Sequence, residues 1–219
     1  MKEALIIGST GIIPILLFSY GLQFGVLVGA GKEPSLVFTA IGPTAGVTGG
    51  VAFTLFLLVG NFVSSLMEEG LFHGVMLRHF RAALSFWRAN FLQAAFLGVW
   101  HLNWPNKQFM TGQLDAGGLV SQSLIILIAT GTVGFAMGYL YLKTNNLWAP
   151  CIMHTINNSV QNMVHIRTID GLDSDMRVFQ IALTLSLIAI IPFFRALTKR
   201  FQTPEVKPWG QENRQYSSG

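Results

Sequence analysis

Residues 44–80 read TAGVTGGVAFTLFLLVGNFVSSLMEEGLFHGVMLRHF, and this stretch decides the fold. Its first part is uncharged and long enough to cross the hydrocarbon core of a bilayer, which takes about 20 apolar residues in a helix. The apolar pattern then continues through Glu68 and Glu69 towards Phe80. We therefore predict one unusually long membrane helix, tilted or broken near Gly70.

The composition of the whole chain also indicates a membrane protein. Hydrophobic residues make up 51% of the chain and charged residues only 11%, whereas an average soluble domain has about 25% charged residues. With so little charge, much of the outer surface must face lipid. The windows that have the length and hydrophobicity of a span lie at about 4–30, 44–67, 89–103, 118–142, 148–166 and 178–197. The predicted fold class is all-α, a polytopic transmembrane bundle of about six helices.

The chain divides into two parts of different composition. We expect residues 1–200 to form a single membrane domain. Residues 201–219 form a polar tail that contains Pro204 and Pro208, and we expect this tail to be cytoplasmic and disordered. The third predicted span is short and the fifth is polar, so both need protein neighbours to satisfy their polar groups.

The basic residues divide unequally between the two sides that six spans create. Cytoplasmic loops carry an excess of Lys and Arg, so we expect both termini in the cytoplasm. The compact length favours a prokaryotic inner membrane. The basic residues on the predicted cytoplasmic side are Lys2, Arg78, Arg81, Arg88, Lys143, Arg195, Lys199, Arg200, Lys207 and Arg214, and those on the opposite side are Lys32, Lys107, Arg167 and Arg177.

Net charge and cysteine content exclude several other classes. A net charge of +4 suits nucleic-acid binding in a soluble protein, but no DNA- or RNA-binding module pattern accompanies it. We therefore expect no nucleic-acid partner. The one cysteine, Cys151, cannot form a disulfide framework or a thiolate metal cluster within the chain, and we interpret it as a packing residue.

Two adjacent carboxylates at membrane depth require a reason. One charge at mid-bilayer costs about 2.5–3.5 kcal/mol on insertion scales, and neighbouring carboxylates also repel each other. Adjacent helix residues point about 100° apart. One of Glu68 and Glu69 can therefore serve chemistry while the other braces the site. The alternative is a helix end at the membrane interface, close to Arg78 and Arg81.

Two histidines lie in other apolar segments. His101 ends the run FLGVWHL, and His154 lies within APCIMHTINNSV. Asn158 follows His154 by four residues, so both side chains lie on one helical face and can donate to one oxygen. A peptidase needs such donors for the oxyanion of a tetrahedral intermediate. The alternative is a set of polar residues that joins helices by hydrogen bonds.

Taken in order, these segments resemble the CAAX prenyl protease and bacteriocin-processing family, abbreviated CPBP and also called ABI. Members of that family carry Glu-Glu-x-x-x-Arg, Phe-x-x-x-His and His-x-x-x-Asn, each on its own membrane helix. The resemblance covers about residues 60–165, and the stretch 138–158 matches best. The corresponding segments of this chain are Glu68 to His73, Leu97 to His101, and His154 to Asn158.

Two positions depart from the family pattern. Leu97 stands where the family has Phe, which is a modest change between apolar groups. His73 stands where the family has Arg, which exchanges a permanent cation for a titratable ring. His73 follows Glu69 by four residues, so the two can still form a supporting pair on one helix face.

The resemblance implies a glutamic intramembrane protease. Glu68 would act as general base on a water that His101 helps to hold, and His154 and Asn158 would stabilise the oxyanion. The resemblance implies no metal and no other cofactor. The implied partners are the lipid bilayer and a membrane-associated peptide or protein substrate.

Three other functions stay open from the sequence. A catalytically silent relative could bind a partner protein as a scaffold, which the change at His73 favours. A zinc-dependent peptidase could use Glu69, His73, His101 and His154 as ligands, although no compact motif such as His-Glu-x-x-His is present. A small transporter could use intramembrane Glu and His as relay groups, although the chain shows no inverted repeat.

Overall fold

A computed structural model describes residues 2–41, 48–173 and 176–201. These residues form a bundle of helices, which confirms the predicted all-α membrane class. A π-helix, Glu69–Leu77, joins the second helix to the third without a break. The α-helices in chain order are α1 (Lys2–Gly29), α2 (Val51–Glu68), α3 (Arg78–Arg81), α4 (Phe86–Trp100), α5 (Asn103–Met110), α6 (Ala116–Thr144), α7 (Trp148–Gln161) and α8 (Arg177–Phe201).

The predicted spans correspond to helices, but the helices differ in length. Two of the predicted spans are short helices of 15 residues in α4 and 14 residues in α7, so the count of six spans is approximate. The predicted tail lies outside the described residues beyond Phe201. Within the described residues, four helical stretches are long and apolar enough to cross a membrane: Ala4–Gly29, Val51–Arg81, Ala116–Thr144 and Arg177–Ala196.

Short strands, which the sequence analysis did not predict, shorten two of the spans. The second helix begins at Val51 and the fifth predicted span ends at Gln161, because strands occupy residues 48–49 and 164–168, which overlap the predicted spans 44–67 and 148–166. Residues 44–47 of the second predicted span lie outside the described residues. The strands are β1 (Ser35–Phe38), β2 (Ala40–Ile41), β3 (Thr48–Gly49), β4 (Val164–Thr168) and β5 (Gly171–Leu172). All pairs are antiparallel: β1 pairs with β4, β4 with β5, and β2 with β3. The β1–β4 pair links the chain after α1 to the chain after α7.

The helix that carries the two glutamates changes its winding at this motif. As predicted, it continues through Glu69 towards Phe80, and it ends at Arg81. The expected irregularity near Gly70 is a π-helical stretch of nine residues that begins at Glu69. Such stretches are rare and occur frequently at functional sites. The π-helix packs against α4 and α6, which brings the motif to the centre of the bundle.

Helix α7 is held firmly between α1 and α2. A Cβ atom at Gly8 of α1 would lie only 2.6 Å from the carbonyl oxygen of Ala149 in α7, so the close approach of these helices requires glycine. On the other side, Asn61 of α2 donates to Ser159 Oγ at 3.3 Å and accepts from Asn162 Nδ2 at 3.0 Å. These contacts fix the position of α7, and with it the position of His154.

Candidate active site

Glu68, the last residue of α2, is anchored through only one of its carboxylate oxygens. Ser64, one helical turn earlier, donates from Oγ to Glu68 Oε1 at 3.1 Å. Glu68 Oε2 is buried and has no hydrogen-bond partner among the described residues. It lies 3.7 Å from His101 Nε2 and 4.0 Å from His154 Nε2. These separations exceed direct hydrogen-bond distances, so this oxygen faces two rings without being bound by either.

His101 is oriented by the helix that it ends. Its Nδ1 lies 2.9 Å from the carbonyl oxygen of Leu97, one turn earlier in α4, and donates to it. The ring also makes an edge-to-face contact with Trp104, with centroids 5.1 Å apart. Because Nδ1 carries the proton in this contact, Nε2 can present a lone pair towards Glu68.

Glu69, the neighbour of Glu68, lies between two imidazole rings. Its Oε1 is 2.8 Å from His154 Nδ1, and its Oε2 is 2.6 Å from His73 Nδ1. The side chain is only 2% exposed. The two adjacent carboxylates therefore differ in their contacts: Glu68 Oε2 faces His101 and His154 without a hydrogen bond, whereas Glu69 lies in close contact with His154 and His73.

His73 occupies the position where the family pattern has Arg, and it contacts acceptors with both nitrogens. Nδ1 faces Glu69, and Nε2 lies 2.9 Å from the carbonyl oxygen of Gly134 in α6. The ring is fully buried. The histidine thus keeps the contact with the second glutamate that a cation at this position would make, and it adds a contact with the backbone of α6.

His154 and Asn158 extend the site along α7. Glu69 binds His154 at Nδ1, so the opposite nitrogen, Nε2, faces Glu68. Asn158 lies one turn further along the helix. Its Oδ1 accepts from Asn157 Nδ2 at 3.2 Å, which leaves its own Nδ2 as a donor group.

The structure brings five of the six predicted site residues into one cluster. Glu68 Oε2 lies 3.7 Å from His101 Nε2 and 4.0 Å from His154 Nε2. Glu69 contacts both His154 and His73. Asn158 is placed near the cluster by helix geometry alone, since its described contact is with Asn157.

Two contributors were missed by the sequence analysis. Ser64 lies four residues before Glu68, a spacing at which a hydroxyl can reach the carboxylate on the same helix face, so this contact could have been predicted. Gln93 is buried in α4 and donates to the same Gly134 carbonyl oxygen as His73, at 3.0 Å. The sequence feature that could have identified Gln93 is the presence of a side-chain amide within the apolar run of residues 89–103.

Comparison with known proteins identifies the family of this chain. No curated protein and no solved structure matches the chain. A family model described as type II CAAX prenyl endopeptidase Rce1-like matches residues 50–160, which is half of the chain and includes every residue of the site described above. The chain therefore belongs to the Rce1-like family of type II CAAX prenyl endopeptidases, and it is an integral membrane endopeptidase of this general kind.

Proposed function

We propose that this chain hydrolyses a peptide bond of a membrane-associated protein or peptide by means of a water activated by Glu68. The observation that supports this most strongly is the buried Glu68 Oε2, which has no hydrogen-bond partner among the described residues and faces His101 and His154. A carboxylate held at one oxygen and open at the other is suited to accept a proton from a bound water. The membrane helices supply the low-dielectric surroundings.

Glu68 and His101 together favour an attacking orientation of that water. A water about 2.8 Å from each acceptor is compatible with the 3.7 Å between Glu68 Oε2 and His101 Nε2. Both groups act as acceptors, because His101 uses its Nδ1 proton for the Leu97 carbonyl. The water would donate one hydrogen to each, which leaves its oxygen lone pairs free to attack a carbonyl carbon.

His154 and Asn158 are the proposed donors to the oxyanion. When the water adds to the peptide carbonyl, the π electrons of the C=O bond move to the oxygen, which becomes negative. His154 and Asn158 lie one turn apart on α7, and Asn158 Nδ2 can donate to that oxygen. In the proposed reaction the His154 ring carries a proton on both nitrogens, so that Nε2 donates to the oxyanion while Nδ1 donates to Glu69. Glu69 binds His154 at Nδ1 and fixes the direction of the ring, as the carboxylate partners of catalytic histidines do.

Transfer of the abstracted proton from Glu68 to the leaving group completes the reaction. Glu68 takes it from the water as the C–O bond forms, and then donates it to the leaving amine nitrogen as the C–N bond breaks. The products are an amine and a carboxylic acid that keeps the second hydrogen of the water, and Glu68 returns to its ionised form. Transfer of that second hydrogen to the amine or to solvent then gives the carboxylate. These reaction steps need no metal or other cofactor.

The family match also suggests the substrate class. We propose that the substrates end in a CAAX sequence. Whether cleavage requires a prenyl group on the substrate is tested by the assay below. We also propose a prokaryotic inner membrane as the location. The excess of basic residues on one side supports an orientation with both termini in the cytoplasm.

A reconstitution assay tests this proposal against the alternatives. The full chain would be placed in liposomes with a farnesylated peptide that ends in a CAAX sequence, with the unprenylated peptide in parallel, and products identified by mass spectrometry. We expect cleavage of at least one peptide at an undiminished rate in the presence of a zinc chelator. Loss of activity on chelation and recovery on adding Zn²⁺ would contradict the mechanism and support the zinc peptidase. If neither peptide were cleaved, the result would favour the alternative that the chain is a catalytically silent scaffold.

A further inference from the structure

A buried hydrogen-bond network extends from the site into the α4–α6 interface. The Gly134 carbonyl oxygen in α6, which accepts from His73 Nε2 at 2.9 Å, also accepts from Gln93 Nε2 at 3.0 Å. Gln93 Nε2 also donates to Asn90 Oδ1 at 2.9 Å, and Asn90 Nδ2 donates to the Phe135 carbonyl oxygen at 2.8 Å. His73, Gln93 and Asn90 are all fully buried.

A glycine on α6 creates the space that this network occupies. A Cβ atom at Gly138 would lie 1.9 Å from Asn90 Oδ1 and 3.0 Å from Gln93 Nε2. Any side chain at Gly138 would therefore displace both amides. A Cβ atom at Gly134 would in turn lie 2.6 Å from Leu97 Cδ2. The network therefore depends on the absence of a side chain at Gly138, while the glycine at position 134 allows Leu97 of α4 to pack against α6.

Helix association alone does not account for the position of Gln93. Polar side chains in membrane proteins often join helices, and Asn90 alone already bonds α4 to the backbone of α6. Gln93 instead reaches the one carbonyl that holds His73. The contacts then continue from His73 to Glu69 and from Glu69 to His154. A buried amide is costly where it is not hydrogen-bonded, and Gln93 Oε1 is buried without a hydrogen-bond partner among the described residues.

We propose that Gln93 is a positioning residue for peptide hydrolysis, acting through the Gly134 carbonyl and His73 to hold Glu69 and thereby orient His154. This inference rests on the proposed function for its kinetic test. Gln93 itself touches none of the proposed reacting groups. Its removal should therefore lower kcat and leave KM unchanged, because the proposed oxyanion donor would be misdirected while the substrate contacts stay in place.

The kinetic test replaces Gln93 by methionine, which has similar size and no N–H donor. We expect Gln93→Met to reduce kcat by about 10-fold, the loss that corresponds to one hydrogen bond of ordinary strength. Gln180→Met is the matched control, since it makes the same chemical change on α8, away from the site. It should keep wild-type kcat. Wild-type kcat in Gln93→Met would overturn the proposal.

A second test, in the His73→Ala variant, separates a positioning role of Gln93 from a general loss of protein stability. If Gln93 acts through His73, its replacement should cost less than about two-fold in kcat once His73 is already alanine, because the connection to Glu69 is gone. A further 10-fold loss in the His73→Ala background would overturn the proposal, since the two residues would then act independently.

A spectroscopic readout tests the contact without reference to cleavage. The chain has five histidines, so ¹⁵N signals of the imidazole rings in bilayers can be assigned from single variants. We expect the His73 signals to shift in Gln93→Met and to stay in place in Gln180→Met. Unchanged His73 signals in both variants would overturn the proposal.

The failure of this inference and the failure of the proposed function can be told apart. If Glu68→Gln cleaved the peptide at the wild-type rate, the proposed function would fail, whereas the ¹⁵N imidazole signals would still decide the role of Gln93.

Discussion

Replacing Glu68 with glutamine is expected to lower kcat by about 10²–10⁴-fold, the range found for loss of a general acid–base group. Glutamine keeps the size of the side chain and can still accept the hydrogen bond from Ser64 that Glu68 Oε1 accepts at 3.1 Å. Its amide cannot take a proton from water. The measurement is steady-state cleavage of the CAAX peptide in liposomes by the wild-type and variant proteins.

Two controls make the Glu68 result specific. Thermal unfolding of Glu68→Gln in detergent should match that of wild type, because Glu68 makes few contacts that the amide cannot make. Glu33→Gln, an identical change at an exposed loop carboxylate, should keep full activity. Wild-type kcat in Glu68→Gln, with folding unchanged, would exclude this residue as the base.

Replacing Glu69 with leucine is expected to destabilise the protein by about 3–5 kcal/mol, the usual cost of breaking a buried pair by removing one partner. Glu69 contacts His154 at 2.8 Å and His73 at 2.6 Å, so its removal leaves two buried rings without their acceptor. Cleavage should also fall, because the His154 ring loses its orientation. The free energy of unfolding in mixed micelles measures the effect.

The adjacent residue supplies the matched control for this experiment. Glu68→Leu makes the same chemical change one position earlier, but it removes only the hydrogen bond from Ser64. We expect that variant to lose about 1 kcal/mol or less while losing activity. Equal destabilisation by the two leucine variants would contradict the division of roles between the two carboxylates.

Much of the bundle could be predicted because long apolar runs have few alternatives in a membrane protein. The first span, predicted at 4–30, lies close to α1, Lys2–Gly29. The strands could not be predicted, because each has five residues or fewer and pairing such as Val37 with His165 joins segments far apart in sequence. Neither strand has a local sequence pattern that would indicate a pairing strand so far away in the chain.

Prediction of the site was limited in a different way. The spacing of Glu69 and His73 and the family resemblance placed Glu69 beside His73 and Glu68 beside His101, but they did not predict the contact between Glu69 and His154. That contact depends on the π-helical winding that begins at Glu69, which the sequence indicated only as an irregularity near Gly70. Gln93 was missed because its bond is to a backbone carbonyl of α6, and a backbone acceptor has no sequence signature.

The most direct measurement is an experimental structure of the protein in lipid, at a resolution that shows ordered water. The proposed mechanism requires a water within hydrogen-bond distance of both Glu68 Oε2 and His101 Nε2, with His154 and Asn158 directed at the same space. A Glu68 carboxylate that pairs with other side chains instead, with the two rings turned away from it, would contradict this mechanism.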